Sequence, residues 1–367
     1  MRVLITTDVV GGVWQFTHEL AAGLLRGGGS VALVSLGGEP SSEQQQQCAR
    51  LSSRYGGRFL YESSSAALEW MQENQGAYHD AASLLIRIAK EFGAELIHSN
   101  QFCFGALPID IPKLITAHSD VLSWAEACRD QPLENSPWLR QYRRLVTDGL
   151  SGATTVIAPT RWMLNALRRN FSSRARCEVI PNGRTFAPAG DGTRHLRAVT
   201  AGRLWDEAKD IRMLGDVASP LPLYAAGETQ QGSAQGPRVL PGVTLLGRLA
   251  EDEMLRFFRQ TAIYICTSRY EPFGLAPLEA ALCGCAVLAR DIPSMREVWQ
   301  DGALYFSDAS GLLTLLHELT ANPGLLDEAR ERSNARARFF TAERMVTSYR
   351  AQFDIAREET EARTYVA

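Results

Sequence analysis

Apolar positions along the chain fall into short runs separated by stretches with helical spacing, and this alternation repeats almost from end to end. Residues 3–6 form the first run. A turn with Gly11 and Gly12 follows, and then a stretch from 13 to 26 in which Val13, Phe16, Leu20 and Leu24 share one helical face. Gly27-Gly28-Gly29 stops that helix, and 30–36 begins a second strand, so the chain opens as a βαβ unit of a parallel sheet. The rhythm continues with strands expected at 96–98, 113–118, 155–158 and 177–180 and helices at 66–70, 80–92, 138–150 and 161–170. Pro181-Asn182-Gly183 closes this series, and residues 188–193 have no periodicity and read as a linker. Beyond it the pattern restarts, with strands expected at 197–201, 223–226, 243–246, 262–266 and 286–289. Helices are expected at 251–260, 276–283, 294–300, 310–321 and 324–339, with a final helix from 342 into the 350s and a charge-dense, fraying end at 358–363. The pattern is α/β, two Rossmann-like parallel-sheet domains, and the natural ligand site is a cleft between them beyond the C-terminal strand ends.

Composition narrows the class. At roughly 150 residues per domain, 367 residues suggest about two domains. A hydrophobic content of 45% with 22% charged residues excludes a disordered chain. A net charge of −3 argues against a nucleic-acid partner. No apolar run approaches the ~18 residues of a membrane span, and Asp8 interrupts the first strand too early for a signal sequence, so a cytoplasmic protein is expected. Seven scattered cysteines without a C-x-x-C read as reduced core thiols. Neither Asp-x-Asp nor H-E-x-x-H occurs, so no metal ligand set is visible. Arginine outnumbers lysine 35 to three, which draws attention to Lys90, Lys113 and Lys209, because an ammonium and a guanidinium are not interchangeable. Arg140, Arg143, Arg144, Arg161, Arg168, Arg169, Arg174 and Arg176 make the first domain locally basic. They suit either ordinary solvated helix faces or an anionic membrane leaflet or acceptor.

Several strand-end segments carry chemistry. Gly11-Gly12 either forms a tight turn or lets backbone N–H groups approach an anion. Arg203 and Lys209 follow the first strand of the second domain and could pinch a phosphate; paired to Asp206 and Glu207 they would instead be a solvated loop. The segment from Ser268 to Ala280 is the most informative. Pro277 suits a first helical turn, so the helix starts near Leu275 or Ala276, and the N–H groups of Gly274, Leu275 and Ala276 become available to phosphate. Glu271 precedes that start and Glu279 lies a turn inside it, placed either to complement the helix dipole or to grip hydroxyls of a phosphorylated ligand. His118, at a strand end beside Ser119 and Asp120, is either structural or a hydrogen-bond donor to a ligand.

Taken together these segments resemble the retaining glycosyltransferases of family 4, which have the GT-B fold, two such domains facing each other across a cleft. The resemblance rests on Asp8-Val-Val-Gly-Gly12, Thr116-Ala-His118, Val179-Ile-Pro-Asn-Gly183, Gly202-Arg203-Leu204 with Lys209, and Glu271-Pro-Phe273-Gly274-Leu275-Ala276-Pro-Leu-Glu279 followed by Cys283-Gly284. It implies an acceptor-side domain over 1–187, a linker at 188–196 and a nucleotide-sugar donor domain over 197–341. A C-terminal helix at about 342–367 would pack back on the first domain. By the same resemblance Arg203 and Lys209 hold the donor diphosphate. Gly12, Leu275 and Ala276 add backbone contacts, with Phe273 and Gly274 in the same loop. Glu271 holds sugar hydroxyls, Glu279 the ribose, Arg248 the base pocket, and His118 touches the transferred sugar. The implied reaction is metal-independent transfer with retention from a nucleotide-sugar co-substrate, best matched by a UDP-sugar of glucose type with GDP-mannose as the rival, and no cofactor. The implied acceptor is a glycan, glycolipid or lipid-linked polysaccharide precursor, handled at the inner face of the membrane. Acceptor contacts are expected from 101–105 and 124–138, where Phe102, Phe104, Trp124 and Trp138 suit stacking on sugars and packing equally. Two other readings remain: a glycoside-cleaving enzyme using Glu271 and Glu279, and a catalytically silent GT-B binding module.

Overall fold

The computed structural model describes residues 1–72, 76–185, 193–231 and 234–366. The chain divides into two units. One comprises Met1–Ala125, Gln131–Gly183 and Ala342–Ala367, and the other Glu126–Asp130 and Arg184–Thr341. Most of the expected linker, 188–196, lies outside the described residues.

The first unit opens with β1 (Arg2–Asp8), α1 (Gly12–Arg26), β2 (Ser30–Leu36), α2 (Ser42–Tyr55), β3 (Phe59–Ser63), α3 (Ala77–Phe92) and β4 (Leu96–Ser99). It continues with β5 (Lys113–Thr116), α4 (Val121–Cys128), α5 (Pro137–Gly152), β6 (Thr155–Ala158), α6 (Arg161–Asn170) and β7 (Arg176–Val179). Its seven strands are parallel in the order β3-β2-β1-β4-β5-β6-β7. The reversal of strand order between β1 and β4 is the topological switch point, where α/β sheets bind ligands beyond the strand C-termini. Six of the seven β1 residues are buried, which explains why this central strand reads as an unbroken apolar run.

The second unit holds β8 (His195–Ala201), β9 (Leu223–Ala226), the short β10 (Gln230–Gln231) and β11 (Ala234–Gln235), β12 (Val243–Gly247), α7 (Glu251–Arg259) and β13 (Thr261–Cys266). Then come α8 (Leu275–Leu282), β14 (Ala286–Arg290), α9 (Pro293–Trp299), β15 (Leu304–Phe306), α10 (Ala309–Ala321) and α11 (Pro323–Ala337). The order β12-β9-β8-β13-β14-β15, all parallel, repeats the first sheet's logic with the switch point between β8 and β13. Along β13 and β14 the period of two divides the core. Ile263, Ile265 and Leu288 enter one apolar cluster, while Tyr264, Cys266 and Val287 enter the other. Both faces of this sheet are therefore covered.

The last helix, α12 (Ala342–Val366), belongs to the first unit and packs on α1. Its Tyr349 and Phe353 are fully buried, and the Tyr349 hydroxyl lies 3.0 Å from Thr116 Oγ1. Residues 358–363, where fraying is expected, are helical. Arg357 Nη2 pairs with Glu95 at 2.8 Å, and Thr360 donates to the Ala356 carbonyl, so the helix runs on to Val366.

Other differences have local causes. Residues 66–70 are not helical, because the Ala66 carbonyl accepts the Gly37 N–H from the loop after β2 and the Glu69 carboxylate accepts the Phe102 N–H. Helix α2 escapes the apolar-period reading because its first turn is glutamine-rich. Ser41 nucleates it through a capping box with Gln44. Phe102 and Phe104 are buried in the core rather than available for stacking, and Trp138 stacks on Tyr142. All seven cysteines are free. Among the described residues no helix is long and apolar enough to cross a membrane.

Candidate active site

In the second unit, β8 delivers Gly202 to the switch point. Gly202 has φ +150, and a Cβ there would lie 3.2 Å from Lys209 Cε. A Cβ on Gly227, after β9, would lie 1.8 Å from the Gly202 carbonyl oxygen, so the two strand ends touch through backbone. Arg203 follows, its side chain 41% exposed, and donates from Nη2 to Asp206 Oδ2 at 2.6 Å. The other Asp206 oxygen caps the short turn Glu207–Lys209 by accepting the Ala208 N–H. That turn ends in Lys209, whose Nζ is ion-paired with Glu271 Oε2. Burial works against the Lys209 charge, but the Glu271 carboxylate outweighs it and holds the ammonium above its usual range. Lys209 thus stays a cation in a site that excludes most water.

The Lys209 turn is fastened to the β13–α8 loop. Thr267 Oγ1 donates to the Lys209 carbonyl, and Arg269 N–H donates to the Ala208 carbonyl at 2.8 Å. Asp210 next to it has φ +43, a left-handed conformation that a non-glycine residue rarely adopts. Arg269 and Arg290 both donate to its Oδ2 and keep it there. This aspartate–arginine cluster was not visible in the sequence, where neither arginine stood out among 35.

Helix α8 starts at Leu275 with Gly274 before it at φ +91, and no side chain caps it. A Cβ at Gly274 would come 2.8 Å from Pro277 Cγ, so the sharp entry requires glycine. Leu275 and Ala276 occupy the first turn, where N–H groups have no intrahelical acceptor. Phe273 turns its side chain into the core, which leaves only its backbone for the expected donor contact. Its side chain is 3% exposed and packs edge-on to Phe340, so it supports the loop from the core. Glu279, in the second turn, is engaged by Arg184, whose Nε lies 2.9 Å from Oε1, while the Arg184 Nη2 pairs with Glu251. Arg184 is 6% exposed and was missed by sequence reasoning; its only signal is a cation directly after Pro181-Asn182-Gly183. Arg248, beyond the outermost strand β12, is exposed and pairs with Glu228 at 3.0 Å; no bond joins it to Lys209, Glu271 or Glu279 among the described contacts.

In the first unit, Gly11 (φ +73) precedes α1 and Gly12 begins it, both exposed, with no side-chain cap. His118 lies two residues beyond β5. Its ring meets Phe16 at 4.6 Å between centroids, and its Nε2 is 2.8 Å from Asn100 Oδ1. Burial pushes the His118 pKa down to about 3, so the ring is neutral at pH 7. His98, equally displaced to about 3 by burial, bonds Thr116 Oγ1 at 2.8 Å and belongs to the packing under α12. The structure therefore gathers Arg203, Lys209, Glu271, Gly274, Leu275, Ala276 and Glu279 at one switch point, and Gly12 and His118 at the other. The basic residues Arg140, Arg143, Arg144, Arg161, Arg168, Arg169 and Arg174 are exposed, and Arg176 pairs with Glu359 at 3.6 Å.

Comparison with known proteins agrees with this architecture. The model described as Glycosyltransferase Family 4 matches residues 10–185, and the model described as Glycosyl transferases group 1 matches residues 228–338. An alpha-maltose-1-phosphate synthase of Mycobacterium tuberculosis is 27% identical over 249 residues, covering 57% of this chain and 62% of the relative's length. A glycogen synthase of the same organism is 23% identical, over 88% of this chain and 87% of its own. The sucrose-phosphate synthase structure from Thermosynechococcus elongatus superposes with a TM-score of 0.78 at 17% identity, over 97% of this chain and all of the other. With the two models together spanning most of the sequence and both sheets ordered as found, the chain belongs to the family 4 glycosyltransferases and has the GT-B fold.

Proposed function

We propose that this protein is a retaining glycosyltransferase that moves a glucose-type sugar from a UDP-sugar to a glycan, glycolipid or polysaccharide-precursor acceptor, without a metal ion. The observation that carries this reading is the half-buried Lys209–Glu271 pair beside the uncapped start of α8. Here a cation and free helix-start N–H groups meet a carboxylate at the strand ends where α/β sheets bind ligands. The donor diphosphate takes Lys209 from Glu271 and Arg203 from Asp206. Glu271, released, turns to the hydroxyls of the sugar, and Glu279, oriented by Arg184, takes the ribose. As the bond from the anomeric carbon to the diphosphate oxygen breaks, negative charge grows on the leaving group. Lys209, Arg203 and the α8 N-terminus stabilise that charge where it develops. The acceptor hydroxyl forms the new bond on the same face and gives its proton to the departing phosphate oxygen, which keeps the anomeric configuration. A glucose-type sugar is favoured over mannose because the relatives named for glycogen and maltose 1-phosphate align over 88% and 57% of this chain, and a relative named as a mannosyltransferase over 26% of it. The first unit supplies the acceptor side, and its exposed arginines suit an anionic membrane surface at which lipid-linked acceptors would be met.

Glycoside cleavage by Glu271 and Glu279 fits less well, since Lys209 and Arg184 already engage the two carboxylates that an acid and a nucleophile would use. Calorimetry with EDTA present, against UDP, GDP, ADP and their sugar conjugates, tests the proposal. Micromolar binding of UDP and UDP-glucose is expected, with about a hundredfold loss or more in the Arg203→Ala, Lys209→Ala double variant, since each removes a charge-assisted contact. Absence of binding by every nucleotide would overturn the reading and favour a silent binding module. Release of free sugar with no nucleotide donor would favour the hydrolase.

A further inference from the structure

The hydrogen bonds around Asn100 settle a question of proton placement. Its side-chain Nδ2 lies 2.6 Å from the backbone carbonyl oxygen of Thr6 and 3.0 Å from Thr17 Oγ1. A backbone carbonyl only accepts, so the atom facing it is the amide NH2 group and the amide cannot be flipped. Thr17 Oγ1 gives its own proton to the Val13 carbonyl at 2.8 Å, so it too accepts from Asn100. Both amide protons are thereby used. The Asn100 backbone N–H donates to Thr6 Oγ1 at 3.1 Å and fixes the residue at the end of β4. The remaining amide atom is the oxygen, which can only accept, and it lies 2.8 Å from His118 Nε2.

We propose that Asn100 is a positioning residue that holds the proton of His118 on Nε2 and leaves Nδ1 as a hydrogen-bond acceptor for a ligand hydroxyl. This reverses the donor role expected from the sequence. The half-buried ring is neutral at pH 7, and none of the described residues hydrogen-bonds Nδ1. A lone pair in that place attracts a group that carries a proton, such as a sugar hydroxyl, and disfavours a phosphate oxygen, which at neutral pH has none to give. His118 would then select for the sugar end of a nucleotide sugar and against its phosphates. The ligand part of this inference rests on the glycosyltransferase reading, and the tautomer part does not.

Two measurements on the full chain test the parts separately. In nitrogen-15 NMR of the histidine rings, with the His118 signals identified by their loss in His118→Gln, the expected result is a protonated Nε2 and an unprotonated Nδ1. The Nε2 proton should exchange slowly with solvent in the wild type. In Asn100→Leu that protected ring proton should be lost. An Nδ1–H ring, or a rapidly exchanging Nε2 proton in the wild type, overturns the role of Asn100 even if the variant fails to fold. For the ligand part, UDP-glucose is compared with analogues in which one sugar hydroxyl is replaced by fluorine, which accepts but cannot donate. One analogue should bind about tenfold more weakly to the wild type, and that penalty should vanish in His118→Phe, whose ring has no acceptor. Equal binding of all the analogues overturns the acceptor role. If no nucleotide or nucleotide sugar binds, the transferase reading falls with the ligand part, while the ring spectra still decide the role of Asn100.

Discussion

Lys209 and Glu271 illustrate what a residue type reveals and what it conceals. One of three lysines at a strand end and a carboxylate after another strand were visible at once, and their mutual ion pair was not, because it joins positions 62 apart in the chain. Asn100 and Arg184 are the opposite case. Their sequence neighbourhoods mark them little, Arg184 only by following Pro181-Asn182-Gly183, and their meaning comes from the atoms they touch. The two buried histidines lead to a measurable consequence. Burial lowers both His98 and His118 from 6.5 to about 3. The unfolded chain therefore takes up protons as pH falls through ~6.5 while the folded chain does not. The stability these residues contribute is complete above ~6.5 and is lost as pH falls toward ~3, at up to ~1.4 kcal/mol per pH unit for each. Urea midpoints between about pH 7 and 5.5, above most carboxylate titration, should fall, and the slope should be roughly halved in His98→Gln. Equal slopes in the two proteins would show that His98 is not held neutral by the fold.

Among the elements, the long periodic helices and buried strands were readable because burial imposes its own spacing on composition. The exceptions are elements whose stability comes from somewhere other than an apolar stripe. Helix α2 depends on a cap, and the non-helical 66–70 stretch on partners in distant loops. A third kind of constraint, close backbone contact, joins α5 to the short 3-10 turn Phe102–Ala106. A Cβ on Gly149 would lie 1.8 Å from the Phe102 carbonyl oxygen, and one on Gly105 would lie 2.0 Å from the Gly149 carbonyl. Backbone cannot move aside as a side chain can, so Gly149→Ala should destabilise the first unit by about 3 kcal/mol, at the upper end of overpacking effects. Thermal or urea unfolding would register this, and a neutral effect would mean that the two segments can part without loss.

At the scale of the whole molecule, the last helix shows how an element far along the chain completes a core begun at its start. Met345, Tyr349, Phe353 and Ala356 are all buried in the first unit. Truncation after Thr341 should leave that unit without one wall of its core, while the second unit retains its own clusters. Circular dichroism and size-exclusion chromatography should show loss of cooperative unfolding for part of the chain and aggregation through the exposed surface. Melting unchanged from the full chain would contradict this role for α12. The repeating strand–helix rhythm, the glycine-bearing strand ends and the Glu271-to-Glu279 segment are local patterns, so the α/β class, the GT-B likeness and the candidate residues could be read directly from the order of residues. Proton positions, ion-pair partners and the burial of the Phe273 side chain depend on which atoms meet across the sheets. Those meetings join residues tens to hundreds of positions apart, and only the packed structure decides them.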